Sequence, residues 1–460
     1  MTAEEVDVIV IGAGPPGENV AGRCAEGGLT TCIVEERLVG GECSFWGCIP
    51  SKTLIRPGDV LAAARRAPGA AEAITGPLDV AAALAQRDYM VSNWNDDGQL
   101  PWLEHEDIEL VRGHARLTGP REVAVDLVGG GVRRLTARRA VVAAVGSSPR
   151  VPAGIEGLVE SRPWTNKEIT ETKEIPPRLL FMGGGAIGVE MAQAFRRFGS
   201  QVTVVEAAPR LLAHEEPFCG DQLKAAFEAE GITVLTGTKV VRVRRDRVVT
   251  ATLDHGGDVV ADEIVACLGR VPRTGDLGLD AVGLGHLAGR FLPVDDQLRV
   301  QDGLYAVGDC NGKALLTHMG KYQGRICGDV ILGKDAHDRA DEAIVSRVTF
   351  TDPQVAAVGL TEEQARATGR PIRVVTVSTG SVAGAYVEGN DIDGTSALVV
   401  DEDRRVLVGA TFTGPGIQEL LHSATVAIAG QVTLDTLWHA VPAFPTISEV
   451  WLRLLESYGL

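Results

Sequence analysis

The chain lacks the features of an exported, membrane-spanning or nucleic-acid-binding protein. Its first residues, Met1 to Asp7, hold neither a basic nor an apolar stretch, so no signal peptide is expected. No apolar run reaches the roughly 18 residues of a membrane span. Positive charge is in deficit: 44 Lys and Arg face 61 Asp and Glu, for a net charge of −17. Because such a surface repels phosphate backbones, we do not expect the protein to bind nucleic acid. Without a signal peptide or a membrane span, we expect a soluble cytoplasmic protein that does not bind membranes.

Cysteine is scarce, and none follows Cys327. Most of the eight are expected to be buried free thiols, as is usual in cytosolic proteins. Only Cys43 and Cys48 have the spacing of a motif, and they lie between Gly40-Gly41 and Pro50-Ser51-Lys52. No second ligand pair with matching spacing accompanies them, so a redox pair is favoured over a metal site or two structural cysteines.

Two similar units recur in a chain whose 460 residues predict about three domains. Each unit has an apolar strand (6–11 and 178–182), a G-x-G-x-x-G turn, a helix, and a second strand that ends in an acid, Glu35 or Glu206. The glycines allow a tight turn and a close approach of the backbone to a pyrophosphate, whose charge the helix N-terminus stabilises. Strand, turn, helix and acid together indicate two dinucleotide sites, and hence two cofactors that exchange electrons.

The segment from Gly40 to Lys52 closely resembles the redox-active disulfide of the class I pyridine nucleotide-disulfide oxidoreductases. That family includes dihydrolipoamide dehydrogenase, glutathione reductase and mercuric reductase. Four further segments resemble the family, so that the likeness covers essentially the whole chain: 140–147, 264–272, 304–309 and 350–362.

The resemblance implies an α/β fold with two Rossmann-like domains and a C-terminal α+β interface domain that forms a homodimer. The implied layout is an FAD-binding domain (1–150), an NAD-binding domain (151–275), a segment that completes the FAD side (276–340) and the interface domain (341–460).

The resemblance also assigns cofactor residues. The residues assigned to FAD are Gly12, Gly14, Gly17, Glu35, Gly41, Ala115, Gly146 and Asp309. Among them, Glu35 would bind the adenosine ribose and Asp309 the ribityl chain. For NAD they are Gly183, Gly185, Gly188, Glu206 and Gly269. Glu206 would accept from the ribose 2′-hydroxyl and repel a 2′-phosphate, so NADH is favoured over NADPH, although Arg210 could serve a phosphate.

In the family's redox centre, Cys48 would face the flavin and Cys43 would attack the substrate. Lys52 would lie near flavin N5, with Glu190 as its ion-pair partner. A helix N-terminus and Lys52 are expected to lower the pKa of the reactive thiol. Five residues of regular helix rise about 7.5 Å, whereas a disulfide needs Cα atoms within about 7 Å. We therefore predict a distorted helix between the cysteines and an easily reduced bond.

Two departures from the family occur beside the disulfide. Glu42 stands where Thr is common, and Phe45 and Trp46 stand where small or polar residues are common. These side chains would either shape an unusual substrate pocket or pack against the flavin domain.

A third departure lies near the C-terminus. The family pattern His-Pro-Thr-x-Ser-Glu appears here as Phe444-Pro445-Thr446-Ile447-Ser448-Glu449. In the family this His, from the partner subunit, exchanges protons with the attacking thiol, and the Glu orients it. A phenyl ring carries no proton, and acid–base help is worth about 10²–10⁴-fold in rate. Turnover of lipoamide or glutathione is therefore expected to be poor.

Three interpretations follow. In the first, the electron acceptor needs no proton from position 444, as for a quinone, a metal ion or a thioether. The 2-ketopropyl coenzyme M oxidoreductase/carboxylase resembles this case, since it also has Phe at this position, but it has His where this chain has Glu449. Alternatively, His439 replaces the base, or the protein is a redox-silent FAD-binding relative. We favour an FAD-dependent enzyme that passes electrons from NADH through Cys43 and Cys48 to an atypical small-molecule acceptor. Dihydrolipoamide dehydrogenase and a quinone or metal reductase are the alternatives.

Overall fold

The computed structural model describes residues 4–340 and 344–460. The strands are β1 (Glu4–Ile11), β2 (Thr31–Glu35), β3 (Ile108–Gly119), β4 (Glu122–Leu127), β5 (Val132–Ala143), β6 (Ser147–Pro149), β7 (Arg178–Met182), β8 (Gln201–Glu206), β9 (Thr233–Thr236), β10 (Val240–Arg245), β11 (Val249–Leu253), β12 (Asp258–Ala261), β13 (Glu263–Ala266), β14 (Arg270–Pro272), β15 (Arg299–Gln301), β16 (Leu304–Ala306), β17 (Ser346–Thr349), β18 (Gln354–Gly359), β19 (Ile372–Ser378), β20 (Thr395–Asp401) and β21 (Val406–Gly414).

The helices are distributed along the chain from residue 15 to residue 458. They are α1 (Pro15–Glu26), α2 (Gly41–Trp46), α3 (Cys48–Arg66), α4 (Val80–Met90), α5 (Leu100–His105), α6 (Asn166–Glu171), α7 (Ala186–Arg197), α8 (Pro217–Ala229), α9 (Thr317–Ile331), α10 (Glu362–Ala367), α11 (Ala383–Glu388), α12 (Leu421–Ala429), α13 (Leu434–Leu437) and α14 (Val450–Tyr458).

The chain divides into two compact units. The first comprises residues 4–50, 88–150 and 269–340. At its centre β1 runs parallel to β2 on one side and β5 on the other, flanked by β3 and β16. Val8, Ile9 and Val10 of β1 are fully buried, as expected for a parallel strand covered on both faces. The pairing of β16 with β5 brings the chain after residue 276 back into the first sheet.

The second unit comprises residues 51–87, 151–268 and 344–460. It holds a parallel sheet in the order β13-β7-β8-β9, an antiparallel sheet of β10 to β12, and an antiparallel sheet in the order β17-β18-β21-β20-β19. In the last sheet every residue of β21 is buried, and Phe412 packs its ring 5.7 Å from that of Trp451 on α14. The predicted strand–turn–helix–strand units are therefore present in both parallel sheets.

The predicted domain limits stay a prediction, and the limit at residue 341 lies outside the described residues. Within residues 4–340 and 344–460, the structure contains no helix that is long and apolar enough to cross a membrane.

Candidate functional site

The first glycine-rich turn forms one wall of a cavity in the first unit. Gly12, Glu35, His114, Ala115 and Arg273 line this cavity. Gly14 caps the N-terminus of α1 without a side-chain hydrogen bond, and a β-carbon on Gly14 would meet no atom closer than 3.9 Å. Pro15 and Pro16 open the helix and carry no N–H, so it is the free space beside Gly14 that lets the pyrophosphate of a dinucleotide approach the backbone at the helix N-terminus. Four predicted FAD residues, Gly12, Gly14, Glu35 and Ala115, are thus together, and they fit the cofactor.

The second glycine-rich turn has the same construction. Gly185 caps α7 without a side-chain hydrogen bond, and a β-carbon there would meet nothing within 4 Å. The Nε of Arg210, in the loop after β8, is buried without a hydrogen-bond partner among the described residues. The residues fit an NAD pyrophosphate, and the choice between NADH and NADPH stays a prediction.

The acids at the ends of β2 and β8 hold the turns as well as facing the ligand side. Glu35 accepts the amides of Ala13 (2.8 Å) and Arg37 (2.7 Å), and burial raises its pKa. Glu206 accepts the amides of Gly184 and Ala208, both at 2.6 Å. Sequence reasoning assigned these acids to ribose alone and missed the backbone role, although their equal spacing from the glycines signals it.

The redox segment is a broken helix, as predicted. Helix α2 ends at Trp46, Gly47 adopts φ −124° and ψ −116°, and α3 begins at Cys48. A β-carbon on Gly47 would lie 3.0 Å from the Cα of Cys43, and one on Gly41 would lie 2.7 Å from the Cα of Gly14. These glycines therefore let α2 sit tightly between Cys48 and the first glycine-rich turn.

All eight cysteines are free thiols, and five are buried, which confirms that expectation. Cys43 hydrogen-bonds with Cys48, and this bond, followed by burial, raises the pKa of the Cys43 thiol far above its usual value. The expected lowering of the pKa is therefore wrong for Cys43. This hydrogen bond places one proton between the two sulfurs, so the pair titrates as a unit.

Thr317, the first residue of α9, holds both sulfurs. Its hydroxyl lies 3.5 Å from the Sγ of Cys48 and also hydrogen-bonds with Cys43, an interaction that lowers the pKa of the Cys43 thiol. Sequence reasoning missed Thr317, which carries no motif and comes from a segment remote along the chain.

A buried polar chain connects the redox segment to Asp309. Arg270 donates to Glu42 through Nη2 (2.5 Å) and to the hydroxyl of Ser147 through Nε (2.6 Å). Ser147 in turn donates to Asp309 (2.5 Å), whose pKa is raised mainly by burial. Glu42 is thus committed to an arginine, and Phe45, 3 % exposed, packs in the interior. For Phe45 the structure favours packing over a substrate pocket.

Gly146 and Gly269 lie together in the first unit. The carbonyl of Gly146 accepts from the amide of Arg273, and that of Gly269 accepts from the amide of Arg150. Strands β6 and β14 pair between these bonds. Both glycines have positive φ, so they turn the chain into and out of this ribbon.

The predicted ion pair of Lys52 and Glu190 is confirmed. The Nζ of Lys52 lies 2.6 Å from Glu190 Oε2 and 4.8 Å from the ring centroid of Phe350. Glu190 is 3 % exposed, and its other oxygen accepts the amide of Phe350 at 2.9 Å. The pair is therefore rigid, with its cationic end half-buried.

The C-terminal motif presents an unusual pairing. Phe444 is 76 % exposed, whereas Glu449 is 8 % exposed. Oε2 of Glu449 is buried and has no hydrogen-bond partner among the residues that the structure describes. The carboxylate that would orient a histidine is thus in place with an open acceptor. His439 is exposed, and its use as a replacement base stays a hypothesis.

Comparison with known proteins agrees with the predicted family. Residues 6–324 match the pyridine nucleotide-disulphide oxidoreductase family, and residues 345–454 match its dimerisation domain, in agreement with a homodimer. The chain is 36 % identical to the dihydrolipoyl dehydrogenase of Chlorobaculum tepidum, over 97 % of this chain and 96 % of that protein. It is 32 % identical to that of Mycobacterium tuberculosis, over 96 % of each.

Two solved structures share the fold. A Cu(II) complex of the HOCl-induced flavoprotein disulfide reductase RclA from Escherichia coli is 25 % identical, with a TM-score of 0.87 over 99 % of each chain. LpdA from Mycobacterium tuberculosis, at 24 % identity, has a TM-score of 0.88 over 99 % of this chain and 100 % of that chain. These structures agree with the predicted fold class, and the pyridine nucleotide-disulphide oxidoreductases bind FAD and NAD(H), the predicted cofactors. The chain belongs to the pyridine nucleotide-disulphide oxidoreductase family.

Proposed function

We propose that this enzyme transfers electrons from NADH through Cys43 and Cys48 to an acceptor that needs no proton from a histidine base. The observation that carries the proposal is Phe444, an exposed phenyl ring at the position of that base. We further propose that the enzyme works in the cytoplasm as a homodimer.

Residues of this chain would hold both cofactors. The turn at Gly12, Gly14 and Gly17 would hold the FAD pyrophosphate, with Glu35 at the ribose, and the turn at Gly183, Gly185 and Gly188 would hold NADH. When bound, FAD would supply the two-electron relay between NADH and the cysteine pair. Lys52, held by Glu190, would place a positive charge near the flavin.

The raised pKa of Cys43 keeps its thiol protonated, and we assign the thiolate of the reduced pair to Cys48. Reoxidation to the disulfide releases two electrons and the remaining proton. Two one-electron acceptors such as Cu(II) take these electrons without any proton, and the proton leaves to water. A quinone takes two electrons and two protons, which water can supply. Dihydrolipoamide exchange instead needs proton transfer at each sulfur, which Phe444 cannot give.

The alternative, dihydrolipoyl dehydrogenase, is favoured by the relatives' names and by the intact Cys43, Cys48, Lys52 and Glu190. A metal acceptor is favoured by Phe444 and by the Cu(II) complex of RclA. Cu(II) is therefore the first metal to test.

An anaerobic NADH titration of the FAD-loaded protein tests the first half of the pathway. We expect a long-wavelength absorbance band after two electrons, from the Cys48 thiolate beside oxidised flavin. Direct bleaching without the band would mean that the disulfide is bypassed.

Steady-state turnover with lipoamide, a soluble quinone and Cu(II) tests the second half. We expect lipoamide to be the poorest acceptor, and we expect C43S to abolish reduction that depends on the disulfide. Lipoamide turnover well above that of the other two would establish the dihydrolipoyl dehydrogenase alternative.

A further inference from the structure

The last turn of the redox helix α2 is held by a tryptophan from a separate segment. The indole Nε1 of Trp94 donates to the carbonyl of Phe45 at 3.2 Å. Phe45 lies in the last turn of α2, where a helix leaves carbonyls to be satisfied from outside. Trp94 therefore acts as a cap at the point where the helix breaks, between the two cysteines.

Trp94 reaches this position through an unfavourable backbone. Ser92, Asn93 and Trp94 are three consecutive residues with positive φ, of 49°, 52° and 56°. Left-handed conformations are disfavoured for residues other than glycine, and a run of them persists only where the surroundings over-determine it.

The same loop is anchored to the chain just before α2. Asp96, 8 % exposed, accepts the amide of Val39 at 2.7 Å and a guanidinium nitrogen of Arg112 at 2.6 Å. The loop from Ser92 to Asp96 thus contacts the redox segment at two points.

The first turn of α2 is held from another direction by the Glu42–Arg270 ion pair. Its members are 19 % and 17 % exposed, and Arg270 also donates to the backbone carbonyl of Ser147 at 3.0 Å. Ion pairs of this burial are screened little by salt. Both ends of a six-residue helix that carries Cys43 are therefore fastened to the same unit.

We infer that the Glu42–Arg270 and Trp94–Phe45 contacts form a clamp that holds Cys43 against Cys48, and so makes their disulfide less easily reduced than the distorted helix between them alone would predict. The inference rests on the proposed redox role of this pair. Holding two reacting groups in place removes the ordering cost of joining them, so a clamped pair forms its bond more favourably. Glu42 and Trp94 are positioning residues, since their contacts with Arg270 and Phe45 act on the cysteines through α2.

The test measures the thiol–disulfide equilibrium of the FAD-loaded, full-length protein with glutathione. One oxidised glutathione takes two electrons from the dithiol, which gives the Cys43–Cys48 disulfide and two reduced glutathiones. Thiol labelling and peptide mass spectrometry report the oxidised fraction without NADH or an acceptor.

Trp94→Phe removes the indole donor, and Glu42→Gln removes the charge. We expect each to shift the equilibrium toward the dithiol by about three- to tenfold, where tenfold corresponds to about 30 mV. Two matched controls in the same unit, Trp102→Phe on α5 and Asp302→Asn in the exposed Arg121–Asp302 pair, should stay within twofold of the parent.

The possible outcomes test the clamp and the proposed function separately. If the thiol–disulfide equilibrium constant with glutathione is unchanged in both variants, the clamp is overturned. Loss of FAD from both variants, but not from the controls, would also overturn it and assign these contacts to cofactor binding. A parent protein that never forms the Cys43–Cys48 disulfide would instead refute the proposed function itself.

Discussion

Gly47 lies so close to Cys43 that a β-carbon on Gly47 would stand 3.0 Å from the Cα of Cys43. The helix that carries Cys43 ends here, and the helix that begins at Cys48 follows at once. The missing side chain is therefore what allows five residues of chain to bring two thiols into hydrogen-bonding contact.

Replacing Gly47 by Ala should separate the thiols. The added methyl would stand 3.0 Å from the Cα of Cys43 and 3.1 Å from the carbonyl oxygen of Glu42, so its neighbours must move away, and we expect the free energy of unfolding to fall by about 1–3 kcal/mol. The glutathione equilibrium should also shift toward the dithiol. Urea unfolding and thiol labelling measure the two effects. The control is Gly98→Ala, at a site with open space around the Cβ position; equal behaviour of the two variants would contradict the prediction.

Replacing Phe444 by His should restore an acid–base pair, because Oε2 of Glu449 is buried and can accept from an imidazole. We expect NADH-dependent lipoamide reduction to rise at least tenfold, a part of the about 10²–10⁴-fold that such help supplies. The double variant F444H/E449Q should lose most of the gain, because the carboxylate that orients the ring is gone. If F444H alone brings no gain, the pocket itself excludes lipoamide.

Replacing Thr317 by Val should raise the pKa at which the thiolate forms. The hydroxyl that hydrogen-bonds with the sulfurs disappears, while the shape of the side chain is kept. We expect the midpoint of the long-wavelength thiolate band, followed across pH in the two-electron-reduced protein, to move up by about 0.5–1 pH unit. Thr250→Val on strand β11 is the control. A midpoint that stays in place would show that Thr317 does not stabilise the thiolate.

Glu18 on α1 should make stability depend on pH. Burial raises the pKa of this carboxyl from 4.5 to about 7. Between these values the folded state binds more protons than the unfolded state, so the free energy of unfolding falls as pH rises through this window. Glu18→Gln should therefore raise the free energy of unfolding at pH 8 by about 1–2 kcal/mol and leave it unchanged at pH 4.

Urea unfolding of the FAD-loaded protein at the two pH values measures this difference. Exposed Glu104→Gln should have little effect at either pH. An equal gain from Glu18→Gln at both pH values would disprove a titration of Glu18.

Much of this protein is predictable from local patterns. The two glycine-rich turns, their strands and their acids follow from spacing, because a strand, a tight turn and a helix N-terminus each make demands on neighbouring residues. The break between Cys43 and Cys48 follows from the length of a helical rise against the reach of a disulfide. The pairing of Lys52 with Glu190 came from the family resemblance, and the structure bears it out.

Other features were decided by tertiary structure alone. Thr317, Trp94 and Arg270 reach the redox segment from parts of the chain that no periodicity connects to it. The pKa of Cys43 rises because burial and a shared proton outweigh the charge and helix effects that the sequence suggested. Sequence by itself determined which chemical groups are present and how they are spaced, since turns, strands and helix N-termini place requirements on residues that are neighbours along the chain. Folding decided which of them meet, because contacts, desolvation and shared protons depend on distances that only the packed chain sets.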